Sequence, residues 1–197
     1  DNASVDDSFW RTKTVFEDNP NIKFIANKEN LGFSKACNQG MRESTSDFAL
    51  LLNPDCILKA TAIAESLTVF AKHPKAGLCG AKVFNTDGSI QDSCVRNTPS
   101  PSTAMFRALG LQKLFPKFKQ ARQINCANED LPTKAVPVEG ISGAFMFARR
   151  SAIDEVGMLD EAYFFQPEDL DWFLRFRQAG WKLYFVPDAE ITHIKGF

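Results

Sequence analysis

Apolar runs of strand length alternate with helix-spaced apolar positions along the first half of the chain. Residues 22–26 and 48–52 are short apolar runs, which predict strands. Between them, apolar or small residues recur at helical spacing from Phe33 to Met41, so we predict a helix that begins near Ser34. The run at 48–52 is apolar at every position, as expected of a central strand with helices on both faces. This alternation predicts an α/β fold, with a mostly parallel sheet flanked by helices.

The rest of the chain shows the same signals, with one weak region. The further predicted elements are a helix at 60–72, strands at 77–84, 89–91 and 143–148, helices at 151–157 and 169–179, and strands at 182–186 and 190–194. The helix at 151–157 opens on an S-x-x-D sequence, which is typical of a helix cap. Turn residues at 85–88 make the strand at 89–91 antiparallel to its predecessor, so the sheet is predicted to be mixed. Five prolines interrupt residues 97–137, which we expect to be the least ordered.

Composition narrows the class of protein. The chain has 197 residues, of which 44% are hydrophobic, which is enough for one core, so we predict a single domain over residues 1–197. It carries 23 basic and 24 acidic residues, and this balance argues against nucleic acid as a partner. The apolar runs are too short to span a bilayer. The five cysteines are widely spaced without a C-x-x-C pair, which favours core positions and a cytoplasmic location over a disulfide framework or a zinc ribbon.

Asp55 is a candidate ligand for a divalent cation. It follows Asn53-Pro54 at the end of the predicted strand 48–52, where open α/β sheets bind ligands. A cation that bridges a diphosphate needs only one or two protein carboxylates. The same residues equally fit a turn that caps the next helix.

The loop before the predicted helix at Ser34 is a candidate anion site. Gly32 would let a ligand approach closely, and the amides and dipole of the helix start favour an anion. An ordinary strand-to-helix connection is the alternative interpretation.

A concentrated acidic segment supplies the candidate base. Residues 151–174 include seven acids and no basic residue, and Glu168-Asp169 opens a predicted helix. The helix dipole alone would favour acids there. The aromatic residues Tyr163, Phe164, Phe165 and Trp172 nearby suggest a cleft wall instead, and a carboxylate in such a cleft can serve as a general base. His193, in the last predicted strand, is by itself most simply structural.

In order and spacing, these motifs resemble family 2 glycosyltransferases of the GT-A fold, in the subgroup of bacterial rhamnosyltransferases. The resemblance extends almost end to end and rests on DNAS at 1–4, NLGF at 30–33, NQG at 38–40, LLNPD at 51–55, DGSIQ at 87–91, SGA at 142–144, EDLD at 168–171 and His193. It implies inverting transfer of a sugar, with rhamnose as a candidate, from a nucleoside diphosphate sugar to an acceptor hydroxyl. A glycan or lipid-linked acceptor in cell-surface polysaccharide synthesis is the implied partner.

The resemblance also implies the roles of individual residues. Nucleotide contacts are expected from Asp1, Asn30, Gly32 and Asn38. Asp55 is similar to the last acid of the D-x-D motif that binds Mg²⁺ or Mn²⁺, and His193 is similar to the histidine that completes the metal site in some members. Asp169 resembles the general base, and its neighbours Glu168 and Trp172 are expected to contact the donor or acceptor sugar.

Two departures from the family pattern and two alternative functions accompany this hypothesis. Asn53 replaces the first acid of D-x-D, which removes one carboxylate and weakens the expectation of metal dependence. The first apolar strand of the family has no counterpart before Asp1, so we expect that strand to be missing from this chain. A nucleotidyltransferase is one alternative, although it would need a glycine-rich basic loop near its start. A non-catalytic module that binds sugar nucleotides is the other.

Residues 105–124 combine five basic residues with interleaved apolar ones and contain no acid. We interpret this segment as an acceptor loop. Its composition also suits peripheral contact with the inner face of an anionic membrane, which is the alternative interpretation.

Overall fold

The computed structural model describes residues 1–98, 101–111, 114, 131–164 and 167–194. Within them the helices are α1 (Ser8–Phe16), α2 (Phe33–Arg42), α3 (Ala62–Lys72), α4 (Pro101–Ala108), α5 (Arg150–Val156) and α6 (Glu168–Gln178). The strands are β1 (Phe48–Leu52), β2 (Cys56–Leu58), β3 (Ala76–Phe84), β4 (Val95–Arg96), β5 (Val136–Val138), β6 (Gly140–Ile141), β7 (Phe145–Arg149) and β8 (Lys182–His193). None of the helices described is long and apolar enough to cross a membrane.

A mixed sheet forms the centre of the fold, as the turn signals predicted. Its strand order is β1-β7-β3-β8-β2, with β5 beside β8, and β4 and β6 form a separate pair. Strands β3 and β8 are parallel, whereas β7 runs antiparallel between β1 and β3. Strand β1 pairs with β7 alone among the described residues, so it lies at an edge here rather than in the predicted central position.

Two hydrophobic clusters cover the two faces of the sheet. Phe145 and Phe147 of β7 point into the cluster beneath α3, while Met146 and Ala148 point into the cluster formed with α2, α5 and α6. Because successive side chains of a strand face opposite sides, a strand buried on both faces is apolar throughout. This burial explains why the apolar runs predicted strands correctly.

The last two predicted strands form a single long strand, β8. The register of β8 against β3 jumps from Val186 to Glu190, while β3 advances only from Ala81 to Lys82. The extra residues include Pro187, which lacks the N–H that a ladder requires. The sequence break at 187–189 therefore corresponds to a bulge within β8 rather than to its end.

Three local predictions need correction. Residues 22–26 form no strand, although Asp1 pairs with this segment through its amino group to the Ile25 carbonyl at 2.7 Å and its carbonyl to the Asn27 N–H at 3.0 Å. Helix α1 was not predicted, since its exposed face lacks a clear apolar period. Helix α5 begins at Arg150 without a side-chain cap, so Ser151 does not form the predicted capping motif.

Much of the region predicted to be least ordered lies outside the described residues, as do Cys126 and most of segment 105–124. The described part includes helix α4 (Pro101–Ala108). Cys79 and Cys94 are fully buried, which confirms their predicted place in the core.

Candidate functional site

The end of β1, the start of β2 and the end of β8 bring three potential metal ligands together. The turn after β1 is fixed by the Asn53 N–H, which donates to the Ala144 carbonyl at 3.1 Å, and by the Asp55 carbonyl, which accepts from the Ile194 N–H at 2.9 Å. Ligand atoms of Asp55, Cys56 and His193 all lie within 4.8 Å of one another. The closest pair is His193 Nε2 and Asp55 Oδ1, 3.1 Å apart. The structure thus brings together the two predicted metal ligands, which are far apart in sequence.

Gln91 orients the His193 ring. Its Oε1 lies 3.4 Å from His193 Nδ1, and its Nε2 donates to the His193 carbonyl at 3.3 Å. Gln91 is only 3% exposed, so it is held firmly in place. A partner at Nδ1 leaves Nε2 as the ring nitrogen that faces Asp55, which is how histidine ligands of metals are usually held. Gln91 belongs to the segment DGSIQ, where the sequence gave no sign of this role.

These residues fit a divalent cation. A carboxylate oxygen and an imidazole nitrogen are ligands that Mn²⁺ accepts, and diphosphate oxygens and water can complete its coordination. Cys56 adds a sulfur atom that the sequence analysis did not consider. Burial, together with the charge of Asp55, raises the pKa of the Cys56 thiol to about 11.

Asp169 lies in the first turn of α6, with both carboxylate oxygens held. Its Oδ1 accepts from the Leu170 N–H at 2.7 Å, and its Oδ2 forms an ion pair with Nη1 of Arg96. Arg96 belongs to β4, which pairs with Gly140 of β6. Asp169 is only 9% exposed. Since a carboxylate oxygen has two lone pairs, each oxygen retains capacity to accept a further proton donor.

One short segment contacts both Asp169 and the cation site. A methyl group built on Gly143 would lie 3.3 Å from Asp169 Oδ2. The next residue, Ala144, accepts from the Asn53 N–H and, at 3.6 Å, from the Cys56 thiol. Asp169 and the turn that carries Asp55 therefore lie on either side of Gly143-Ala144. A larger residue at position 143 would crowd the carboxylate, which gives a physical reason for the glycine there.

Glu168 is buried beside α2 with an unpaired oxygen. It is 5% exposed, and its Oε2 has no hydrogen-bond partner among the residues that the structure describes. The same is true of Ser34 Oγ in the first turn of α2. Burial and the nearby charge of Glu168 raise the pKa of Cys37, also in α2, to about 12. An unpaired buried carboxylate oxygen is costly, so this position suits contact with a ligand hydroxyl.

A cleft of about 800 Å³ runs from the N-terminal residues to the turn after β1. Its lining includes Asp1, Asn2, Phe24, Gln39 and Pro54. The Asp55 turn adjoins this lining directly in sequence, and Asp1 is the predicted nucleotide contact that the cleft contains.

Asn30 and Gly32 shape the loop beside this cleft. Asn30 Oδ1 accepts from the Asn2 side chain at 2.8 Å and from the Gly32 N–H at 2.9 Å. Gly32 has a φ of 85°, and a Cβ there would lie 2.6 Å from the Phe164 carbonyl oxygen. Gly32 is thus required by close packing as well as by its backbone conformation. Asn2, which the sequence analysis did not single out, ties this loop to the N-terminal turn.

Two predicted contacts are wrong because the side chains are used in the core. Asn38 is 1% exposed; its amide nitrogen donates to the Leu159 carbonyl at 2.8 Å and to Glu161, and its oxygen accepts from the Leu159 N–H at 3.2 Å. Trp172 has no exposed surface, and its indole N–H donates to the Gly157 carbonyl at 2.9 Å. Neither side chain is available to a nucleotide or sugar.

Comparison with known proteins matches this geometry. A family model described as glycosyltransferase like family 2 matches residues 4–196. The chain is 29% identical to an N-acetylglucosaminyl-diphospho-decaprenol L-rhamnosyltransferase of Mycobacterium tuberculosis over 99% of its length and 65% of that relative. It is 30% identical to rhamnosyltransferase WbbL of Escherichia coli K12 over 77% of its length and 54% of that relative. The chain thus spans less than two thirds of either relative.

A solved structure of GalNAc-T7 with UDP, GalNAc and Mn²⁺ superposes with a TM-score of 0.67. The superposition covers 98% of this chain and 36% of that one, at 14% sequence identity. Identity this low shows the fold alone, and it confirms the GT-A fold that the motifs predicted.

Proposed function

Because this chain belongs to the glycosyltransferase like family 2, we propose that it transfers a sugar from a nucleoside diphosphate donor to an acceptor hydroxyl with inversion at the anomeric carbon. The observation that carries the proposal is the placement of Asp169 and the Asp55–His193 pair on either side of Gly143-Ala144. Inversion needs a base on one side of the sugar and a stabilised leaving group on the other. This arrangement supplies a residue for each task.

We assign donor binding to the cleft and the adjoining turn. Asp1 and the loop that contains Asn30 and Gly32 contact the nucleoside, while Asp55 and His193 hold Mg²⁺ or Mn²⁺. When bound, the cation would neutralise the charge that develops on the leaving diphosphate. Gln91 keeps His193 Nε2 directed toward Asp55 through its contacts with the ring and the carbonyl.

Asp169 takes the proton from the acceptor hydroxyl. A base must be ionised to do this, and the Arg96 guanidinium beside Asp169 Oδ2 favours the ionised form. The ion pair also fixes the carboxylate against rotation. A positioned base contributes on the order of 10² to 10⁴ in rate.

The sugar and acceptor are proposed from the relatives. The printed names of the M. tuberculosis and E. coli proteins contain rhamnosyltransferase, and the former acts on a decaprenol-linked acceptor. We propose rhamnose as the donor sugar and a lipid-linked glycan as the acceptor, with Glu168 Oε2 accepting a hydrogen bond from a sugar hydroxyl. Exposed apolar residues in and after α4, among them Met105 and Leu109, support peripheral contact of this region with the membrane that holds such an acceptor. Flotation with anionic vesicles tests this contact, and failure to float would remove it from the proposal.

A donor panel tests the function. Each nucleoside diphosphate sugar is incubated with the chain and Mn²⁺, and release of nucleoside diphosphate is followed with and without acceptor. We expect one donor to be consumed by the wild type, with Asp169→Asn nearly silent while its affinity for the nucleoside diphosphate is unchanged. Consumption of a nucleoside triphosphate with release of pyrophosphate would instead support a nucleotidyltransferase. Binding of donor without turnover in the wild type would support a binding module.

A further inference from the structure

We propose that Cys56 is a third protein ligand of the cation site, and that the site therefore binds thiophilic divalent cations such as Zn²⁺ and Co²⁺ more tightly than Mn²⁺ or Mg²⁺. The inference deepens the proposed function by naming the chemistry of its cation site. It adds a sulfur ligand to the Asp55 and His193 that the family resemblance implied.

Strand pairing places the sulfur where a ligand is needed. Cys56 and His193 are directly opposite in the antiparallel pair β2·β8. Directly opposite residues project to the same face of a sheet with their Cβ atoms close together. The thiol therefore faces the imidazole because of the register of two strands, and Asp55 joins them from the preceding position.

The spacing of the ligand atoms suits a single metal ion. Bonds from zinc to nitrogen, oxygen and sulfur are about 2.0–2.3 Å long, which separates tetrahedral ligand atoms by about 3.3–3.8 Å. The side-chain atoms of Asp55, Cys56 and His193 all lie within 4.8 Å of one another before any ion is bound. Small rotations of the side chains would close this difference. Three protein ligands leave a fourth position for water or a diphosphate oxygen.

The chemistry of the ligand set decides which ion is preferred. Sulfur and imidazole nitrogen favour Zn²⁺ and Co²⁺, whereas Mg²⁺ and Mn²⁺ prefer oxygen. The Cys56 thiol releases its proton to solvent when it binds the metal, as any thiol ligand does. Its present contact, a donor interaction with the Ala144 carbonyl at 3.6 Å, is weak and inexpensive to break.

Cobalt spectroscopy tests the sulfur ligand without any sugar donor. Co²⁺ bound to thiolate gives an intense ligand-to-metal charge-transfer band in the near ultraviolet. We expect the wild type to show this band on titration with Co²⁺, Cys56→Ser to lose it, and Cys37→Ser, which removes another half-buried thiol, to keep it. A wild type without the band, or a band that survives in Cys56→Ser, would overturn the proposal.

Calorimetry then tests the preference. Loss of an outer-shell partner alone commonly costs about 10- to 100-fold in metal affinity, so loss of a direct ligand in Cys56→Ser should weaken Zn²⁺ binding at least about tenfold. Mn²⁺ binding by the same variant should change by less than about threefold, because Mn²⁺ gains little from sulfur. Equal losses for both ions with unchanged thermal unfolding would overturn the proposal, and so would no loss for Zn²⁺. Cys56→Ala provides a second variant if Cys56→Ser unfolds.

The two proposals fail in different ways. A chain that shows the cobalt–thiolate band but consumes no donor would retain this inference and lose the proposed function. A chain that transfers sugar with Mn²⁺ but binds Zn²⁺ through no sulfur would retain the function and lose the inference.

Discussion

The Arg96 guanidinium and the Asp169 carboxylate form an ion pair between β4 and the first turn of α6, with side chains only 21% and 12% exposed. Partial burial makes the pair stronger than one in open solvent, and it leaves Asp169 dependent on Arg96 for both charge and orientation. Arg96 acts through Asp169, so it is a positioning residue.

Replacing Arg96 should therefore reduce turnover more than donor binding. Misplacement of a reacting group by about 1 Å commonly costs about 10²-fold, so we expect Arg96→Gln to lower kcat by up to about 10²-fold with little change in donor KM. Arg96→Lys keeps the charge without the planar fork and should recover part of the loss. Steady-state kinetics with varied donor measure both constants. If Arg96→Lys and Arg96→Gln lose activity and thermal stability equally, the role of Arg96 is merely structural.

Gly143→Ala probes the space beside the same carboxylate. The added methyl group would lie 3.3 Å from Asp169 Oδ2, so the carboxylate must shift by a few tenths of an ångström. We expect kcat to fall by about tenfold, less than for a full ångström of displacement. Cation binding, measured by calorimetry, should be unaffected because the methyl group points toward Asp169. Gly40→Ala, where the methyl group meets no described atom within 4 Å, controls for the effect of this substitution type on thermal unfolding. Full activity in Gly143→Ala would contradict the close contact.

Asn38→Ala separates a structural from a nucleotide-binding role. The change leaves the Leu159 N–H and carbonyl without their buried partner, so we expect the free energy of unfolding to fall by about 2–3 kcal/mol. Urea unfolding measures this loss, and Asn21→Ala, in an exposed loop, should be near neutral. The folded variant should bind nucleoside diphosphate as the wild type does. Weaker nucleotide binding with unchanged stability would instead restore the role predicted from the sequence.

Glu190 should make stability depend on pH at the acid end. Hydrogen bonds from Lys59 above all, and from Lys82, lower the pKa of Glu190 below its ordinary value of 4.5. Because the folded-state pKa is lower than the unfolded one, the stabilisation is fully present above about pH 4.5 and is lost as pH falls through the folded-state value. The difference in unfolding free energy between wild type and Glu190→Gln should therefore be largest near neutral pH and shrink below pH 4.5. Chemical unfolding from pH 7 to 3 measures it, with Glu17→Gln, at an exposed position, as the control. A difference that grows on acidification would refute the assignment.

Local sequence determined several elements and the family. Strand β1 and helices α2 and α6 were predicted within two residues because their own apolar periods and stop signals define them. The motif order identified the family and the GT-A fold, and it placed Asp55 at a strand end and Asp169 at a helix start. These features depend on neighbours in sequence, so periodicity and turn chemistry are sufficient to find them.

Tertiary structure decided which side chains meet. Asn38 was predicted as a ligand contact, but its partner Leu159 lies 121 residues away and occupies its amide. The ion pair between Arg96 and Asp169 and the pairing of Cys56 with His193 depend on how strands and helices pack across the sheet. Periodicity indicates which face of an element is apolar, but neither the element that covers it nor the register of distant strands, because those are set by contacts between residues far apart in sequence.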